Sequence, residues 1–239
     1  MQAVDITLPN DLKGTESFTS QLTNKVCRSA QASDAKYTFS LDVYQKHDDG
    51  RVAAEQFIKD GFASAYGADI EISMPYVLAI NNGKFKAALG IRSAKESLFV
   101  EQYLAQPIEY YVSQAHDRRY IAEIGHLYSN SNKFTIPLFL TTAVSLFCNG
   151  YEHMVFAGTE HVVKLISKAG IDCHYIAQAD KNKLQESSIN WGSYYETNPQ
   201  VVFVSLAAVM LAVNKSAHFK QMFDQLERKI AMTTRKLKR

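Results

Sequence analysis

The nine residues Tyr120 to Tyr128, YIAEIGHLY, constrain the fold most: they alternate as a strand yet carry a glutamate in the middle of an apolar run. At a side-chain period of two, Ile121, Glu123, Gly125 and Leu127 fall on one face of a regular strand. Ala122, Ile124, His126 and Tyr128 fall on the other. A buried carboxylate is costly unless it is paired or hydrogen-bonded, so a sheet built on this strand must satisfy Glu123 or use it. As a general base it needs burial to raise its pKa toward neutrality; the alternative is a structural ion pair or hydrogen bond. His126 points away from Glu123 on a regular strand, and only a β-bulge brings the two together. A structural histidine and a catalytic one both stay open.

The segments around this strand predict a mixed sheet flanked by helices. Upstream, Tyr37 to Tyr44 reads as a strand, and Arg51 to Ala65 has helical spacing with Asp49 as its N-cap. Tyr76 to Ile80 and Phe85 to Ile91 form a hairpin across Asn82 and Gly83. Helical spacing recurs from Leu98 to Leu104 and again from Pro107. Downstream, after the polar break Ser129 to Lys133, Phe134 to Gly150 has helix length and is apolar on most sides, with Gly150 as its stop. His153 to Thr159, a helix ending at Gly170, and CHYIAQA read as a β-α-β unit, which implies a parallel pair. The run Val201 to Val213 is a buried strand or a core helix, and a final helix starts near Ala217. The fold class is therefore α/β in its mixed, α+β form, with a twisted central sheet. The expected divisions are a polar arm over 1–35, the main domain over 36–215 and a basic C-terminal helix over 216–239.

Composition limits the function classes. With 239 residues, 46% of them hydrophobic, one sizeable core is the expectation. A net charge of +2 is too small to announce nucleic-acid binding. The basic end, with Arg228, Lys229, Arg235, Lys236, Lys238 and Arg239, suits membrane contact, an acidic carrier protein or a solvated helix terminus. Cys27, Cys148 and Cys173 form no CxxC pair, which favours reduced thiols. The start MQAVDITLPN lacks a basic region followed by an apolar one, so a cytoplasmic location is expected, with secretion only by a non-classical route. Val201 to Val213 is shorter than the roughly 20 residues of a membrane helix. His153, His161 and His174 have no metal-ligand spacing, and no metal is expected.

Three blocks carry a family resemblance: LFVEQYL at Leu98, EIGHLYS at Glu123 and WGSYYETNP at Trp191. They are similar to runs in the thermostable haemolysins, and the order of elements resembles the GNAT acyltransferases. The same blocks more remotely resemble acyl-homoserine-lactone synthases and N-acyl amino acid synthases. Glu123 matches a glutamate of those enzymes, and His126 stands where they usually carry arginine.

The resemblance implies a GNAT-like frame that cradles the donor arm on backbone N–H groups between this strand and the next helix. The corresponding residues are Leu127, Tyr128, Ser129, Asn132, Lys133 and Phe134, in a loop without the usual glycines. The implied donor is an acyl-CoA or acyl-carrier-protein thioester, with a small-molecule amine as acceptor and the carrier protein as a partner. Glu123 is then the base, and apolar residues of the Phe134 helix line an acyl tunnel. Tyr194 and Tyr195 suit a substrate lip, or a general acid facing the sulfur at Tyr195; aromatic loop packing is the plainer alternative. The family name implies haemolysis, so a directly membrane-acting cytolysin and a non-catalytic acyl-binding domain are the competing functions.

Overall fold

The structure is a computed structural model that describes residues 39–112, 117–185 and 189–237. The expected arm over 1–35 and Cys27 lie outside the described residues.

A seven-stranded sheet forms the centre. Strands β1 (Ser40–Gln45), β2 (Tyr76–Asn81), β3 (Phe85–Ser93) and β4 (Ile121–Ser129) run antiparallel as neighbours. β5 (His153–Gly158) lies parallel to β4, and β7 (Gln200–Ser205) separates β5 from β6 (His174–Gln178), antiparallel to both. The β-α-β unit read from the sequence therefore does not give a paired couple. β5 and β6 share a direction, but the later apolar strand Gln200–Ser205 takes the place between them, buried on both faces. The run from Val201 resolves into both alternatives at once, strand to Ser205 and then helix α5 (Leu206–Lys215), whose first turn is capped by the Ser205 hydroxyl.

The alternation of the strands sorts the core into two sides. On one side Leu78, Ile80, Leu89, Ile124, Met154 and Val204 pack against α3 (Asn132–Cys148), α5 and α6 (Ala217–Lys236). α3 lies inside this layer, so its residues from Pro137 to Leu146 are all buried. Of its buried hydroxyls, Thr142 Oγ1 donates to Leu138 O at 2.8 Å and Ser145 Oγ to Ile230 O at 3.4 Å, whereas Thr141 Oγ1 has no partner. α6 contributes Phe219, Phe223, Leu226 and Ile230 to the same core. Of its basic residues, Lys229 lies over the Phe39 ring and Lys236 Nζ donates to Val43 O.

On the opposite side, α1 (Arg51–Tyr66) packs through Ile58 and Phe62 on Val77, Ala79 and Ala88. Gly50, in a left-handed conformation, takes the N-cap position in place of the expected Asp49. Gly61 lets α1 approach β4, since a Cβ there would run into the Tyr128 ring. Beside α1, the Leu98 block forms a 3-10 turn, Phe99–Tyr103, rather than an α-helix. The segment after Pro107 holds one short helix, α2 (Glu109–Val112). Helix α4 (Glu160–Lys168) follows β5.

Among the described residues, no helix is long and apolar enough to cross a membrane. Cys148 and Cys173 are half-buried.

Candidate active site

β4 and β5 pair only over three residues, Ile121 to Glu123 against His153 to Val155. Beyond Glu123 the two strands part, and the facing backbone edges of both are left without a strand partner. A cleft opens at that split, enclosing about 70 Å³ open to the centre of a water molecule. Its lining comes from both faces of the sheet, as an opening through a sheet requires. Glu123 to Leu127 form one wall and Phe156 to Thr159 the other. Phe62, Tyr66, Phe99, Tyr103, Trp191 and Tyr194 close it from the α1 side.

Glu123 sits at the point where the strands part, 1% exposed. Its carboxylate accepts from Phe99 N at 3.1 Å and Val100 N at 2.8 Å, both in the 3-10 turn. Burial pushes its pKa up to about 7, against the opposing pull of these two N–H groups and of nearby Arg92. The carboxyl is therefore poised to exchange a proton near neutrality. The turn that supplies the N–H groups is itself fastened. Arg118 bonds Glu101 Oε1 at 2.6 Å and Glu109 Oε2 at 2.7 Å, while Glu101 also accepts from Leu98 N and Ile108 N.

The strand is not regular at His126. Gly90 faces Gly125 and Ala88 faces Tyr128, so His126 and Leu127 share the single partner position of Leu89. His126 takes the left-handed conformation, φ 53°, an unusual choice for a side-chain-bearing residue. This bulge overturns the alternation expected from the sequence. Ala122, Ile124 and Leu127 face the α3 side, whereas Glu123, His126 and Tyr128 face the α1 side. Glu123 and His126 thus line one cleft. The His126 ring lies 6.4 Å from the Phe62 ring, its Nδ1 is buried without a hydrogen-bond partner, and burial lowers its pKa to about 4. It is neutral at physiological pH.

WGSYY is built by a close approach. Gly192, at φ 51°, lies so near the end of α1 that a Cβ would collide with Tyr66 O. Ser193 N donates to that same carbonyl at 2.8 Å, and Asp69 N to Asn190 O at 2.7 Å. The result seats Trp191 and Tyr194 in the cleft wall, with ring centroids 5.6 Å from Phe99 and 6.0 Å from Phe62 respectively. Tyr195 does not line the cleft. Its hydroxyl meets that of Tyr103, which does, at 2.6 Å, and burial raises both phenols above their ordinary range.

Of the loop residues read from the sequence, Leu127 lines the cleft, and Tyr128 packs on Phe57 and Gly61. Ser129 Oγ bonds Ser131 O, ordering the turn into α3. Asn132, Lys133 and Phe134 form the first turn of α3, with Lys133 Nζ over the Phe134 ring and no side-chain cap from Ser131. No residue of α3 lines the cleft, so the expected acyl tunnel along that helix is not formed by these lining residues. The β5 end, Phe156 to Thr159, escaped the sequence reading because nothing in a short apolar strand marks its last turn as a cleft wall. Arg92, the cation that closes the apolar stretch AALGI of FKAALGIRS, stands directly across from Glu123. Among the described residues, no group of three His, Cys, Asp or Glu gathers to hold a metal ion.

Residues 44–210 match the family described as thermostable hemolysin. The chain belongs to the thermostable hemolysin family. Among curated proteins, none matches it. Its fold is similar to that of an N-acyl amino acid synthase, FeeM, from uncultured soil microbes, at 14% identity and TM-score 0.50, covering 75% of this chain and 98% of that one. It is also similar to TofI in a ternary complex with an inhibitor and MTA, at 9% identity and TM-score 0.53, covering 75% and 99%. The CoA-dependent acyl-homoserine lactone synthase BjaI with MTA gives 6% identity and TM-score 0.51, covering 74% and 89%. At such identities the likeness is one of fold, and this member of the thermostable hemolysin family has the GNAT-like sheet that its element order suggested.

Proposed function

We propose that this protein transfers an acyl group from a thioester, carried by coenzyme A or an acyl-carrier protein, to an amine. The observation that carries the reading is the Glu123 carboxyl, buried where β4 and β5 part and titrating near 7. The names of the N-acyl amino acid synthase and the CoA-dependent lactone synthase support the same class of chemistry.

An ammonium group entering the cleft gives one proton to the Glu123 carboxylate, and the free amine attacks the thioester carbonyl carbon. The C–N bond forms and the C–S bond breaks. The leaving sulfur takes a second proton from the nitrogen, the third remains as the amide N–H, and Glu123 returns its proton to water. The donor arm lies along the unpaired edges of β4 and β5 in the manner of an added strand, passing Leu127, Tyr128 and Ser129. Its phosphates or carrier protein reach the first turn of α3 at Asn132, Lys133 and Phe134. Tyr103, backed by Tyr195, donates a hydrogen bond toward the departing sulfur, and His126, neutral, fixes the bulge that opens the cleft.

The family description favours a second reading, direct lysis of blood cells. The two are compatible if the acylated product is the membrane-active amphiphile. The test incubates purified protein with red cells, and separately with long-chain acyl-CoA or acyl-carrier protein plus mixed amines, following free thiol and amide product. Thiol release with matching amide is the expected result. Lysis by purified protein without thiol release overturns the acyltransferase reading.

A further inference from the structure

The cleft has one charge and many rings. Among the residues that line it, Glu123 is the only one that carries charge at neutral pH, since the lining includes no lysine or arginine and burial keeps His126 neutral. The nearest cation given by the electrostatics of both groups is Arg92. Its guanidinium is outside the lining: its two terminal nitrogens are held by Ser73 O at 2.9 Å, Ser73 Oγ at 3.0 Å and Ser97 O at 3.2 Å, and its Nε is buried without a partner. Around the carboxyl stand aromatic rings in edge-to-face and tilted contact: Tyr66 on Tyr194 at 5.3 Å and 87°, Trp191 on Tyr194 at 5.4 Å, and Phe99 on Trp191 at 5.6 Å. Such a wall offers ring faces to a cation and an apolar surface to a hydrocarbon body.

From this we infer that the acceptor is a primary amine with an apolar or aromatic body and no acid group, its ammonium directed at Glu123 and its body against the Trp191 and Phe99 rings. The inference rests on the acyl-transfer reading for the chemistry after binding, but not for binding itself. An amino acid with the same body brings a second carboxylate into a cleft whose lining offers it Glu123 and no cation, with the Arg92 terminal nitrogens already taken by Ser73 and Ser97, and it loses its hydration there. The aralkylamines are therefore the favoured class, and free amino acids are excluded from a site whose relatives in fold include an N-acyl amino acid synthase.

Trp191 is the sole tryptophan of the chain, so its fluorescence reports the cleft wall directly. Titrating the intact protein with 2-phenylethylamine and with L-phenylalanine, which differ by one carboxylate, in the presence and absence of coenzyme A, tests the inference. A saturable change is expected with the amine, about 100-fold weaker with the amino acid, a ratio equal to two steps of tenfold in affinity. In Glu123→Gln the preference for the amine narrows. Equal or tighter binding of L-phenylalanine, or no response to the amine under either condition, overturns the inference. Amine binding without thiol release from any thioester leaves it standing and refutes acyl transfer instead. Acyl transfer to L-phenylalanine in preference to 2-phenylethylamine does the reverse.

Discussion

Replacing Glu123 with glutamine removes a titration from the core, and the consequence for stability can be worked from the structure. A free glutamate titrates near 4.5, and in the folded protein burial raises Glu123 to about 7. Between those values the unfolded chain has released the proton while the folded protein still holds it. Stability then falls with rising pH, at about 1.4 kcal/mol per pH unit for a one-proton difference. The contribution is fully present below 4.5 and is lost by the time the pH has passed 7, in total about 3 kcal/mol. Glutamine has no such dependence, and its NH2 confronts one of the two N–H groups that the carboxylate satisfies, costing about 2 kcal/mol at every pH. At pH 5 the variant is therefore the less stable protein, and by pH 8 the order has closed or reversed. The assay is urea unfolding of both proteins from pH 4.5 to 8.5, reading the difference in free energy rather than either curve, so that His126 and His153 cancel. A difference that stays constant across the range refutes the argument, because it means that Glu123 titrates as a solvated carboxyl.

Three further outcomes are expected from the same geometry. His126→Asn should flatten the acid side of the stability profile: the lowered His126 value means that stability drops as pH falls from 6.5 toward 4 in the wild type, visible in melting curves across that interval. Gly192→Ala should cost about 3 kcal/mol or more, since a Cβ meets Tyr66 O and the positive φ is strained for alanine; the urea midpoint and Trp191 fluorescence should move together. Arg118→Met should cost about 2 kcal/mol, less than a fully buried pair because the site is partly solvated. It should also loosen the Phe99–Tyr103 turn, read as faster hydrogen exchange at the Val100 amide.

The strands and helices near the site were legible because each has a pattern of its own: YIAEIGHLY alternates, Phe134 to Cys148 is apolar on most sides, and Asn82-Gly83 marks a hairpin. Glu123 stood out for the same reason, a charge where the pattern requires none. The features that the sequence hid depend on contacts made at a distance. The bulge at His126 is set by the register of β3 against β4, and no local signal places a left-handed histidine there. The insertion of β7 between β5 and β6 is decided by which apolar strand best fills the centre of the sheet, a question that a local β-α-β pattern cannot answer. The aromatic wall is drawn from three separate segments, around Phe62, Phe99 and Trp191, whose rings meet only in the folded chain. Tyr103, which lines the cleft, was concealed behind the more conspicuous Tyr195.

The central claim is that Glu123 takes the proton from the acceptor amine, and the pH dependence of thiol release from an acyl thioester tests it most directly. With wild-type protein and saturating thioester, kcat/KM for the amine should rise with pH through an apparent pKa near 7 as Glu123 ionises. In Glu123→Gln it should fall by roughly 100-fold or more and lose that limb, tracking only the titration of the amine. Thiol release by the variant at the wild-type rate, with the limb near 7 unchanged, contradicts the account.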